Sequence, residues 1–231
     1  MKKILLITFS IFLTSNTSWA ADNGFSIELA GGYQKTKMAS DNAADYNRSP
    51  SSTLSSDSID DKNDVWSVAA EYLFEVNSNV GVALGADYYF GDIDLGKLPF
   101  NDSAAGTTTY TSTWNLKDTF NIYLKPYYKL NENQSIYAKA GYARTTIEYT
   151  DSATDVTVIS LEEQDLDGFT VGLGFHQKLG ENFYSFVEAN YFRYGEEKNG
   201  GTYNDSGTQY TIHIDSDIDA YNAKLGVGYR F

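Results

Sequence analysis

At 231 residues the chain suits one domain, and 17 Lys+Arg against 31 Asp+Glu exclude binding to nucleic acid through its phosphates. The absence of cysteine excludes disulfides and thiolate metal sites. Aromatics at 15%, with 19 Tyr and 19 Gly against 3 Pro, favour strands over helices.

Lys2 and Lys3 give a positive start, Ile4–Leu13 is mostly apolar, and Ser18-Trp19-Ala20 offers small residues for cleavage before Ala21. Residues 1–20 read as a secretory signal peptide whose apolar run is too short to span a bilayer. Without Lys2 and Lys3 the balance is 15 against 31, or −16. No later run is apolar enough for a transmembrane helix.

Eight segments then alternate with a period of two, which makes one face of each strand apolar. Phe25–Lys35 sets Phe25, Ile27, Leu29 and Tyr33 against Ser26, Glu28 and Gln34. Val65–Val76 sets Trp66, Tyr72 and Phe74 against Ser67, Glu71 and Glu75. Val80–Phe90 sets Leu84, Tyr88 and Phe90 against Gly81, Gly85 and Asp87. In Trp114–Leu130 the apolar face runs from Trp114 through Phe120, Ile122 and Leu124 to Tyr128, and Lys125 lies opposite. Pro126, lacking a ladder donor, is expected near a strand end or bulge. Ile136–Tyr149, Gly168–Leu179 and Phe183–Tyr194 follow, with Lys139, Lys178 and Glu188 on their polar faces. The last, Ala220–Phe231, sets Tyr221, Leu225, Tyr229 and Phe231 against Asn222, Lys224 and Arg230.

Connections alternate strictly between short turns and long polar loops, the loops falling at about 36–64, 91–113, 150–167 and 195–217. That alternation predicts an all-β fold, an eight-stranded antiparallel up-and-down transmembrane β-barrel with short periplasmic turns and four long outer loops. The mean hydropathy of −0.40 fits, since only alternate strand residues would face lipid. An aromatic girdle is expected at the two interfaces: Trp66, Tyr88, Phe90, Trp114 and Tyr191 above, Phe74 and Tyr128 below. Arg144 is the one charge that must stand on the lipid face, high on its strand, where it costs about 0–1 kcal/mol instead of about 2–4 at the midplane.

The closing strand resembles that of bacterial outer-membrane barrels, and the resemblance makes Tyr229 and Phe231 the signal read by the barrel-assembly machinery. Lys125-Pro-Tyr-Tyr-Lys-Leu-Asn131, Tyr137-Ala-Lys-Ala-Gly-Tyr142, Val187-Glu-Ala-Asn-Tyr191 and Gly226-Val-Gly-Tyr-Arg-Phe231 are similar to strands of the small eight-stranded family. That family comprises the OmpA transmembrane domain, the Ail/OmpX group and the opacity-like surface antigens. The resemblance implies residence in the outer membrane among lipid and lipopolysaccharide, as a monomer with loops exposed at the cell surface.

The inward faces carry Glu28, Glu71, Asp87 and Glu188 against Lys125, Lys139, Lys178, Lys224 and Arg230. An eight-stranded barrel has room only for side chains, so these are expected to form a lumenal salt-bridge network that fills the interior. Catalysis would need a His beside a nucleophile and a carboxylate. The two candidates are His176, facing inward, and His213, in the last loop near Ser206, Asp215 and Ser216. Neither shows the spacing of the barrel lipid deacylases; the chain reads as a non-enzyme without metal or cofactor.

Acidic clusters at Asp57–Asp64, Glu162–Asp167 and Asp215–Asp219 read as solvated charge. Residues 107–114, Val156–Leu161 and Gln209–Ile214 have strand composition within the long loops, while Ala39–Asn63 reads as mobile. Two functions fit: a surface protein binding host or environmental ligands in the manner of an adhesin or immune-evasion factor, or a structural outer-membrane protein or minor pore.

Overall fold

Strict alternation of apolar and polar residues leaves each segment two unlike faces, and antiparallel pairing into a ring buries the polar one inside. The computed structural model describes the backbone of residues 24–45, 58–102, 108–151, 163–205 and 208–231, and the side chains of 24–39, 60–96, 113–148, 163–195 and 217–231. The expected signal peptide and Val156–Leu161 lie outside the described residues. The strands are β1 (Gly24–Asp45), β2 (Ser58–Glu75), β3 (Val80–Phe90), β4 (Ile93–Asp102), β5 (Thr108–Asn131), β6 (Gln134–Asp151), β7 (Gln164–Lys178), β8 (Phe183–Asp205) and β9 (Thr208–Arg230).

β3 and β4 both pair with β5 and are two pieces of one barrel strand, parted at Gly91, whose φ is 83°. β1 pairs with both β2 and β9, which closes an eight-stranded antiparallel barrel. At one end the turns are tight. The Asn77 side chain accepts from the backbone N–H of Asn79 (2.9 Å) and Val80 (3.0 Å), and Asn131 accepts from Asn133 (2.9 Å). These Asx turns reverse the chain in few residues.

At the other end the strands run on through much of the sequence expected as loop. Pairing extends to Ala39↔Ser58, Asp102↔Thr108 and Asp205↔Thr208. The ring does not persist there. β2–β3 pairing stops at Trp66↔Phe90, and β7–β8 pairing stops at Gly168↔Tyr194. Beyond those two points the barrel divides into two four-stranded sheets, β2-β1-β9-β8 and β4-β5-β6-β7. A register shift between Tyr194 and Glu197 marks where β8 leaves β7. The opposite seam is bridged by a side chain: Asn63 donates to the Asp94 carbonyl (2.6 Å) and accepts from the Asp94 N–H (3.1 Å). Between the sheets lies an apolar core that includes Met38, Val65, Leu95, Leu116, Ile147 and Phe192.

Trp114 belongs to that core at 1% exposure, which corrects its assignment to the outer girdle. The cause is a bulge. The β5–β6 register shifts between Lys117 and Phe120, and Asp118 takes φ 49°. One extra residue reverses every side chain beyond it, so Trp114 and Leu116 turn inward although Phe120 and Ile122 face out. Asp tolerates the left-handed conformation and here also accepts from the Tyr88 hydroxyl at 2.9 Å. Asp118→Val is therefore expected to cost about 1–3 kcal/mol and Asp118→Gly clearly less, measured as urea midpoints in lipid vesicles.

Candidate functional site

The interior midway along the barrel is where the inward charges converge. Lys139 reaches Asp87 (2.6 Å) and Glu188 (3.3 Å), and Lys224 reaches Glu188 (3.0 Å) and Asp87 (3.6 Å). Lys125 pairs with Glu71 and with Glu28, the latter at 3.2 Å. All seven residues are buried. Lys178 is also buried but lies in the mouth at the short-turn end, an electrostatic neighbour of Arg230, Glu181, Glu132 and Lys129. Arg230 stands in the same mouth, its guanidinium carbon 5.7 Å from the Tyr184 ring centroid. The nine residues thus form two layers.

Three tyrosines complete the first layer, and sequence periodicity alone did not single them out. Tyr123 donates to Glu71 (2.7 Å), Tyr137 to Glu188 (2.9 Å) and Tyr184 to Glu28 (2.9 Å). Asn121 donates to Asp87, and Asn190 to Glu188 at 2.9 Å. Each of these tyrosines is paired in register with a glycine on the next strand: Tyr123↔Gly85, Tyr137↔Gly174 and Tyr184↔Gly228. A Cβ on Gly174 would fall 2.1 Å from Tyr137 Cζ, so the missing side chain makes room for the ring. The signal was present as Gly residues on lumenal faces, but only the register says which ring each accepts. Tyr123 also lies under Lys139 (3.9 Å to the centroid) and Tyr137 under Lys125 (4.7 Å), a cation–π arrangement that helps to desolvate the ammoniums.

His176 faces the lumen with its ring 4.4 Å from Tyr137, 5.0 Å from Tyr184 and 5.9 Å from Phe186. Its Nε2 is 3.7 Å from Glu28 Oε1, beyond hydrogen-bond reach. His213 falls within β9, with its side chain outside the described residues.

On the outer face Trp66, Tyr88, Phe90, Phe74 and Tyr128 are exposed, and Tyr191 is half-buried. Tyr88, Tyr142 and Tyr191 each donate to an aspartate of a neighbouring strand: Asp118, Asp167 and Asp219. Arg144 stands on this face and pairs with Asp165 and Asp167. The Thr146 hydroxyl and then the Arg144 guanidinium hold the Asp165 carboxyl below the usual carboxylate range. Lys35 does the same for Asp60, by hydrogen bond and by charge. At the chain end the Phe231 N–H donates to the Phe25 carbonyl (2.9 Å), and the Phe231 ring lies 4.9 Å from that of Tyr229. Phe231 itself is 67% exposed.

The model of the outer membrane protein beta-barrel domain matches residues 5–231. A comparison with curated proteins finds no match. Among solved structures the chain is similar to the outer membrane protease OmpT of Escherichia coli, at 9% identity and a TM-score of 0.59, covering 94% of this chain and 99% of that one. It is similar to OprG of Pseudomonas aeruginosa at 17% identity and a TM-score of 0.55, covering 90% and 97%. It is also similar to Ail, the attachment invasion locus protein of Yersinia pestis, at 15% identity and a TM-score of 0.45, covering 91% and 100%.

Proposed function

The chain belongs to the outer membrane protein beta-barrel family, and from that premise we propose that it is a surface-recognition protein that binds host or environmental ligands through its outer strands, on a filled and non-conducting barrel. The observation that carries this reading is the seam between β7 and β8. Beyond Tyr194, among the described residues, β8 pairs with β9 alone, and it continues to Asp205. An edge of that length offers a row of main-chain donors and acceptors to an extended segment of another protein. A spacer has no use for strands carried so far past the rim with an apolar core between them.

The filled interior supports the non-conducting part of the proposal. Ion pairs occupy the middle of the lumen, and the apolar core closes it on the side of the long hairpins. A non-enzymatic role agrees with His176, which faces the lumen among three aromatic rings. Fold alone does not argue the point, because a protease shares it.

The test is binding. Expressed on a non-adherent Gram-negative strain, the full chain should raise cell counts on host monolayers or serum-protein coatings. Shortening the hairpins at 92–113 and 196–216 should return the counts to background. Absence of binding on every coating, with the protein shown at the surface, would reject the proposal in favour of a structural role.

A further inference from the structure

The mouth at the short-turn end carries a net positive charge. The inner layer sets Lys125, Lys139 and Lys224 against Glu28, Glu71, Asp87 and Glu188, three cations for four carboxylates. The mouth sets Lys129, Lys178 and Arg230 against Glu75, which Lys129 engages. Glu132 and Glu181, the other carboxylates near Lys178, lie on exposed turns. The excess of cations therefore falls in the mouth.

Register and ring contacts bring these groups together. Lys178 pairs in register with Tyr184, and the Arg230 guanidinium carbon lies 5.7 Å from the centroid of the same ring. The Lys178 N–H donates to the Asn133 carbonyl in the β5–β6 turn (2.8 Å), close to the end of β5 where Lys129 stands. Across the mouth, Gly81 pairs with Glu75 on one side and with Tyr127 on the other. A Cβ on Gly81 would fall 2.2 Å from the Tyr127 hydroxyl oxygen, so the phenol lies over the glycine, with Glu75 and Arg230 as its charged neighbours. The three tyrosines of the inner layer are seated in the same way, and each donates to a carboxylate. Tyr127 is 6% exposed, yet its hydroxyl has no hydrogen-bond partner among the described residues.

A buried hydroxyl without an acceptor and like charges held out of water are both costly, and one anion relieves both. We propose that the short-turn mouth binds a phosphate-type oxyanion, held by the Lys178 ammonium and the Arg230 guanidinium with the Tyr127 hydroxyl as a third donor. Arg230 offers a planar fork that meets two oxygens of such an ion, and Lys178 a point charge. Inorganic phosphate and the headgroup of an anionic phospholipid share this chemistry, and both can reach a mouth that opens at the rim of the barrel.

The experiment is a titration of the full chain, refolded in maltoside micelles that contain no phosphate, with inorganic phosphate and followed by NMR. Resonances of Tyr127, Lys178 and Arg230 should shift and saturate, beyond the drift that sodium chloride gives at equal ionic strength. Tyr127→Phe, which keeps the ring over Gly81, should weaken binding about tenfold, and Lys178→Met by at least as much. Lys35→Met, on the outer face, should bind as wild type does. Micelles doped with phosphatidylglycerol, without inorganic phosphate, separate the two sources: a shift of the same resonances keeps the site and assigns it to a lipid headgroup. Absence of a saturable shift in both titrations overturns the proposal. Equal affinity in wild type, Tyr127→Phe and Lys178→Met overturns it too, since that means an adventitious ion only. Equal weakening by Lys35→Met does the same, because net charge would then explain the binding.

Discussion

Lys125→Met is expected to destabilise the folded barrel by about 3–5 kcal/mol, because it removes the one ammonium shared by two buried carboxylates. Lys125 is 1% exposed, and its ammonium sits 4.7 Å from the Tyr137 ring centroid and 5.7 Å from that of Tyr123. Methionine fills similar space and contacts the same rings, so packing is largely kept and the loss reports on charge. Removing one partner of a buried pair costs far more than removing both. The triple variant Lys125→Met, Glu28→Gln, Glu71→Gln should therefore recover most of the stability. Urea midpoints of the three proteins in vesicles decide the matter. If Lys125→Met unfolds at the wild-type midpoint, the pair is solvated and the interior is open to water.

Gly174→Val is expected to cost about 3–4 kcal/mol through two coupled losses. The new side chain would start 2.1 Å from Tyr137 Cζ, with the ring held over Gly174 by the β6–β7 register. To relieve the clash the ring must swing away. It then gives up its 2.9 Å hydrogen bond to Glu188 and its contact with His176 at 4.4 Å. Overpacking and the loss of a hydrogen bond to a charged group add here because one movement causes both. Tyr137→Ala should relieve part of the penalty of Gly174→Val, and a double-mutant cycle on urea midpoints would give the coupling. Additive effects would mean that ring and glycine do not oppose each other across the strands.

Much of the architecture was legible from residue order. The alternation of Phe25, Ile27 and Leu29 with Ser26 and Glu28 assigns faces to β1 without reference to any other strand, and the structure follows it. Short turns could be placed because Asn77 and Asn131 carry their own hydrogen-bond chemistry. The inward charges could be named for the same reason: once the faces are assigned, whatever polar residue falls on the inner one must point inward. The strand composition of residues 107–114 and Gln209–Ile214 likewise anticipated that β5 and β9 begin well beyond the rim.

What the amino-acid order determined by itself was therefore local: a period of two, the sites of tight turns, and the polarity of the two faces of eight strands. The tertiary structure alone decided which charges meet, where a face reverses, and where the ring opens. Lys125 and Glu28 stand 97 residues apart, and no local pattern states that β5 and β1 bring them within 3.2 Å. Trp114 shows the second limit, since a bulge at Asp118 inverts the faces while Trp114, Leu116, Phe120 and Ile122 keep the same parity along the chain. The seam beside β8 shows the third. Strand composition says that a residue will pair, but the pairing partner is set by closure of the whole barrel, and beyond Tyr194 that closure ends. Periodicity is a property of one strand, whereas register is a property of two.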